Sequence, residues 1–164
     1  MKTPLNDLAK DWLYGKSDLI GIEIGSLSGE SAEIFLKSNA FKTFYCIDPW
    51  FDYWKTEDYI RAEKNFDNRF SNNSIIKKVK MKSSEAILVL DVDKIDFLYI
   101  DGNHDYEYVK SDLRHYFPLV KHGGIVAGHD WENRWRGVTK AVLEFFGKPP
   151  MKKYEDSSWM YIKD

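Results

Sequence analysis

Apolar and polar positions along this chain switch repeatedly between a helical period and a strand period. After Pro4, Leu5, Leu8, Trp12 and Leu13 recur at helical spacing and predict a short amphipathic helix that Gly15 ends. Leu19–Ile24 predicts a first strand, and residues 25–31, GSLSGES, a turn into a helix with Ala32, Ile34, Phe35 and Leu36 as packing positions. Residues 41–47 predict a second strand, followed by a charged helix over Thr56–Phe70 that packs through Tyr59, Ile60 and Phe66. Residues 74–81, SIIKKVKM, predict a third strand, whose lysines suit a sheet edge and not a position buried on both faces.

Ser83 or Ser84 is placed to cap a short helix holding Ala86, Ile87, Leu88 and Leu90. Ile95–Ile100 is the fourth strand. Tyr106, Val109, Leu113, Tyr116 and Phe117 mark the next helix, which Pro118 stops. Gly123 and Gly124 read as a break before a fifth strand over 125–128. A helix over 138–146 ends at Gly147, and 151–154 with Trp159–Ile162 read as a closing hairpin around polar EDSS. Five strands alternating with helices predict an α/β fold with a parallel sheet covered on both faces. The 164 residues fit one domain, 1–164, whose active site is built from the loops of one sheet.

The sharpest transition lies at residues 95–104, IDFLYIDGNH, where an apolar run stops at Asp101, Gly102 and His104. In open α/β sheets the ends of such strands are where ligands bind. Composition adds mainly exclusions. A net charge of -2 gives no footprint for nucleic acid or an anionic membrane, and no stretch has the length and apolarity of a spanning helix. The single cysteine, Cys46, sits in an apolar run and reads as a buried, inert thiol suited to a reducing cytoplasm.

The first turn discriminates among ligand classes. Its pattern is E-x-G-x-x-x-G, from Glu23, Gly25 and Gly29. A dinucleotide fingerprint needs a second glycine where this chain has Leu27, and a P-loop needs Gly-Lys-Ser/Thr where it has Gly29-Glu30-Ser31. A nucleoside without a phosphate chain fits better. Asp48, at the end of the second strand, is placed to accept hydrogen bonds from a ribose diol, and the acids Glu23 and Asp101 suit the ammonium and sulfonium of S-adenosylmethionine (SAM).

Together GIEIGSLSGES, CIDPW, FLYIDGNHDYEYVKSDL and GGIVAGHDW resemble the class I SAM-dependent methyltransferases. The likeness is to the small-molecule O-methyltransferase subgroup that includes macrocin O-methyltransferase-like and cephalosporin-hydroxylase-like sequences, and it spans roughly residues 19–146. It implies a Rossmann-like, seven-stranded, mostly parallel sheet of order 3-2-1-4-5-7-6, strand seven antiparallel, with helices on both faces. It implies that Glu23, Gly25, Ser26 and Gly29 hold the methionine part of SAM, Asp48 the ribose, and Ser83 and Ser84 the adenine side, with Asp101 at the methionine end.

Methyl transfer from a sulfonium needs an aligned acceptor and, for a hydroxyl, a base. His104, with an intrinsic pKa of about 6.5, is a candidate neutral base, with Asp101 and Asp130 converging on the same crevice. The resemblance also implies a divalent metal ion on Asp101, His129 and Asp130, a mixed carboxylate and imidazole set better suited to Mn, Fe or Zn than to Mg. His115 and His122 read as solvated or packing residues.

Two aromatic segments flank the crevice: Trp50, Phe51, Tyr53, Trp54 and Tyr59, and then Trp131 and Trp135 with Arg134 and Arg136. They suit a substrate lid, packing over the sheet, or a homo-oligomer contact. The expected function is methylation of a hydroxyl on a small molecule such as a sugar or glycosylated metabolite. Two alternatives stay open, a SAM- or nucleoside-binding module without turnover and a nicotinamide-dependent oxidoreductase. No nucleic-acid or membrane partner is expected.

Overall fold

The computed structural model describes residues 5–51 and 56–164, and Pro4, Tyr53 and Trp54 lie outside them. The strands are β1 (Leu19–Ile24), β2 (Phe41–Asp48), β3 (Ile76–Lys80), β4 (Ile95–Ile100), β5 (Val120–Gly128), β6 (Lys152–Lys153) and β7 (Trp159–Ile162). The helices are α1 (Leu5–Trp12), α2 (Glu30–Leu36), α3 (Thr56–Phe70), α4 (Ser83–Ala86), α5 (Tyr106–Tyr116) and α6 (Arg136–Phe146). One seven-stranded sheet runs β3-β2-β1-β4-β5-β7-β6. Its first five strands pair in parallel, and β7 is antiparallel to both β5 and β6. Order and sense are those expected from the sequence resemblance.

The two-residue period of the strands sorts the core into two layers. Phe97 and Tyr99 of β4 face α1, α2 and α3, where Leu8, Phe35 and Phe66 are buried. Leu98 and Ile100 face α5 and α6, against Val109, Leu113, Val138 and Val142. Glu23, opposite both Cys46 and Tyr99 in register, belongs to the first face, a carboxylate buried beneath the sheet's carboxyl edge.

The lysine-bearing strand is an edge, as its composition predicts. Lys78 is held by Glu63 and Asp67, and Lys80 by Glu63, all from α3. Cys46 is fully buried, and burial raises its thiol well above the usual range.

Two elements differ from the sequence reading. Gly123 and Gly124 do not precede β5 but lie inside it: Val120 pairs with Ile95, and the register then shifts before Phe97 pairs with Ile125. Gly123 takes φ 75° there, so the glycine pair forms an irregularity that the strand passes through. Neither Ser83 nor Ser84 caps α4, because Lys82 occupies the N-cap position. Ser83 Oγ instead donates to Asp112 Oδ1 of α5 at 2.6 Å.

Candidate active site at the carboxyl edge of the sheet

Backbone pairing continues one residue beyond three central strands. Gly25 N–H donates to Ile47 O (2.8 Å), Asp101 N–H to Ile24 O (2.8 Å) and His129 N–H to Ile100 O (3.1 Å). The loops after β1, β4 and β5 therefore leave the sheet at one level and lie side by side at its carboxyl edge. Gly25 has φ 89°, and a Cβ there would lie 2.1 Å from Asp101 O. Only glycine permits this approach of the first turn to the loop after β4.

The next turn is strapped to β2. Leu27 N–H donates to Asp48 Oδ2 (3.0 Å), Trp50 N–H to Asp48 Oδ1 (2.7 Å), and Trp50 Nε1–H to Leu27 O (2.7 Å). Leu27 (φ 43°) and Trp50 (φ 46°) are both non-glycine residues in the left-handed region, a strained conformation held by these bonds. Asp48 is 5% exposed, and burial raises its carboxyl against the two amides. It is thus first a clamp between two loops, a role that a strand-end acid does not reveal in sequence. Trp50 is buried against Phe66 rather than forming part of a lid, with ring centroids 4.9 Å apart.

Glu23 is completely buried. Burial raises its carboxyl to about 7, against the hydrogen bond that Ser31 Oγ donates to Oε1 at 2.5 Å. The buried Ser26 hydroxyl lies beside it and, like Ser31, favours its charged form. Ser31 was missed in sequence; its only signal was its place in the first turn of the helix after the glycine loop. Ser83 is spent on Asp112, whose carboxyl burial raises to about 6, and Ser84 is exposed. The hydroxyl of Ser83 therefore turns to α5, away from the Glu23–Asp48 side.

On the other side of the crevice, His104 Nε2 lies 2.7 Å from Asp130 Oδ2 and 3.7 Å from Asp101 Oδ1. Asp130 takes φ 63°, a turn that returns its carboxylate toward the loop after β4. Asp101 and Asp130 raise His104 to about 9 against the effect of burial. Burial would raise Asp130, but His104 and His129 hold its carboxyl well below the ordinary range. Burial also raises Asp101, against the hydrogen bond from His104.

The expectation of a neutral His104 at physiological pH is corrected by this geometry: between two carboxylates the ligand-free imidazole keeps its proton. The donor atoms that converge are those of Asp101, His104 and Asp130, all within 4.8 Å of one another. His129 Nδ1 lies 3.3 Å from Asp130 Oδ1 and flanks this cluster. Trp135 covers the His104 ring at a centroid distance of 4.5 Å, and Arg134 lies over the Trp135 ring at 5.2 Å.

This arrangement can be set beside known proteins. The methyltransferase domain family matches residues 22–131. An uncharacterised protein of Acanthamoeba polyphaga mimivirus is 32% identical over 152 residues, covering 87% of this chain and 68% of that protein. An O-methyltransferase from Bacillus cereus, solved with S-adenosylhomocysteine (SAH), superposes with TM-score 0.71 at 12% identity, covering 100% of this chain and 82% of that one. The O-methyltransferase TomG from Streptomyces achromogenes, involved in tomaymycin synthesis and solved with SAM, gives 0.68 at 10% identity, with 100% and 82% covered. An rRNA methylase from Streptococcus thermophilus gives 0.64 at 13% identity, with 98% and 95% covered. The solved structures share the fold, and the sequence match fixes the kinship: this chain belongs to the methyltransferase domain family.

Proposed function

We propose that this chain is a SAM-dependent O-methyltransferase acting on a hydroxyl of a small molecule, such as a sugar or glycosylated metabolite, within the small-molecule O-methyltransferase subgroup. The observation that carries the reading is the close approach, at one edge of the sheet, of the Gly25 turn to Asp101 and with it to the Asp101–His104–Asp130 cluster. The residues suit SAM. The Glu23 carboxylate, buried beneath the turn, suits a cationic group, and Leu27 stands 45% exposed where a pyrophosphate would need bare backbone. Bound there, SAM would supply an electrophilic methyl group.

The chain's own part is alignment and proton removal. Asp48 shapes the loop against which the ribose would lie, and Glu23 and Asp101 face the methionine end. His104 accepts the acceptor's proton once its own has left, while Asp130 holds the ring in place. In an alternative use of the same side chains, Asp101, His104 and Asp130 would together hold a divalent ion of the Mn, Fe or Zn type, and the ion in place of His104 would then activate the hydroxyl by polarising it. The net charge of -2 and the acid-lined edge support a small-molecule acceptor over RNA, although an rRNA methylase shares the fold.

The test is titration with SAM, SAH and NAD, followed by SAH release across a screen of sugars, glycosides, catechols and RNA. SAM binding with SAH release on a hydroxyl acceptor is expected. Binding without methyl loss on any acceptor would make the chain a binding module, and NAD binding alone would make it an oxidoreductase.

A further inference from the structure

Two contacts from one short segment hold His104. After β5 the chain makes a tight turn over Asn133–Trp135 and enters α6 at Arg136. In that passage Trp135 lies against the His104 ring, with centroids 4.5 Å apart and planes inclined at 35°. Two residues later Gly137 meets the backbone of the same loop. A Cβ there would stand 2.5 Å from His104 O, 2.7 Å from Tyr106 N and 3.2 Å from Asp105 C. The first turn of α6 therefore rests on the peptides that join His104 to α5, and Gly137 is required for space rather than for an unusual backbone angle.

Neither side of this contact yields cheaply. Behind it α5 and α6 pack together through buried Val109, Leu113, Val138 and Val142. Asp105, the residue after His104, donates its N–H to Asn103 Oδ1 (2.8 Å) and accepts Tyr108 N–H (3.1 Å) and Val109 N–H (3.2 Å). The third constraint is Asp130 Oδ2, 2.7 Å from His104 Nε2. Asp130, Trp135 and Gly137 all belong to the passage from β5 into α6, so one segment supplies the carboxylate, the ring contact and the backbone support. We infer that Trp135 and Gly137 are positioning residues for His104, Gly137 setting its backbone and Trp135 holding its ring against Asp130. The inference rests on His104 as the base of the proposed reaction. Gly137→Ala must open the contact from 2.5 Å to at least the 3.4 Å of ordinary packing, a displacement of about 1 Å. A misplacement of that size at a reacting group costs on the order of 100-fold in rate.

NMR of the histidine rings in the full, ligand-free chain, assigned with His104→Gln, tests this without an acceptor. In the wild type the His104 ring protons should be displaced upfield by the Trp135 indole. Trp135→Leu should remove that displacement. Gly137→Ala should move the same signals and weaken the ring-to-indole Overhauser effect, while His115, at the far end of α5, and His122, near the start of β5, keep theirs. Gly147→Ala strains the other end of α6 at φ 66°, with nothing within 4 Å of the new Cβ, so it should lower stability and leave His104 in place. His104 signals unmoved in both Trp135→Leu and Gly137→Ala, or moved as far in Gly147→Ala, would overturn the inference and spare the base role. If Gly137→Ala fails to fold, Trp135→Leu against Gly147→Ala decides. On a glycoside or catechol that releases SAH in the screen, kcat should fall about 100-fold in Gly137→Ala with KM for SAM unchanged. A displaced ring with unchanged kcat would overturn the base role, and the inference with it.

Discussion

Asp130→Asn removes the charge nearest to His104 and should change a property that can be measured without knowing the acceptor. Asp101 and Asp130 raise His104 from 6.5 to about 9. At about 1.4 kcal/mol per unit this corresponds to roughly 3 kcal/mol of preference for the charged ring. With 32% of the side chain in water, screening reduces the contribution to roughly 1–2 kcal/mol. The variant loses the 2.7 Å partner and keeps Asp101 at 3.7 Å, so the ring should titrate about 1–2 units lower.

NMR titration of the His104 ring protons in the free protein, assigned with His104→Gln, reads this directly. Because kcat/KM reports the free enzyme and His104 acts as a base only after losing its proton, the ascending limb should have a midpoint near 9 in the wild type and follow the ring downward in the variant. The sign for stability follows from the raised value: the pair's contribution is complete below 6.5 and is lost as pH rises through about 9. The wild type's stability advantage over the variant should therefore shrink across that interval. A wild-type ring that titrates near 6.5, or one that Asp130→Asn leaves unmoved, would refute the reasoning.

Gly25→Ala would place a Cβ 2.1 Å from Asp101 O at φ 89° and should abolish cofactor binding while destabilising the fold by about 2 kcal/mol or more, read by calorimetry and urea unfolding. Asp48→Ala leaves the Leu27 and Trp50 amides without acceptors; at about 1–3 kcal/mol each, it should lower stability as well as SAM affinity, and a variant with native stability would contradict the clamp. Chelator treatment should lower turnover, with recovery on adding Mn²⁺, if the three-donor cluster holds an ion; full activity in metal-free protein would exclude that use of the cluster. Phe97→Ala, which empties the centre of the aromatic layer, should destabilise the protein by about 3–5 kcal/mol in urea unfolding.

Periodicity was sufficient for the central strands and most helices because their apolar faces are continuous, whereas β3 was legible through its lysines and the exposed Lys152–Lys153 strand only as part of a hairpin. It misplaced the start of β5 because a glycine pair signals both a break and an irregularity, and only the Ile95–Val120 pairing separates them. Strand ends located Glu23, Asp48, Asp101 and His129, but not what their side chains touch. Which histidine joins the acids depended on Asp130 adopting φ 63°, a conformation no neighbouring residue type announces. Asp48 was legible as a strand-end acid, but its duty to the Leu27 and Trp50 amides depends on two loops meeting.

The most direct measurement for the central claim is SAM titration of the purified chain coupled to SAH release on an accepted hydroxyl compound. The account predicts one SAM per chain, competition by SAH, and methyl loss that His104→Ala slows sharply while leaving SAM affinity nearly intact. No affinity for SAM, or NAD binding in its place, would contradict it.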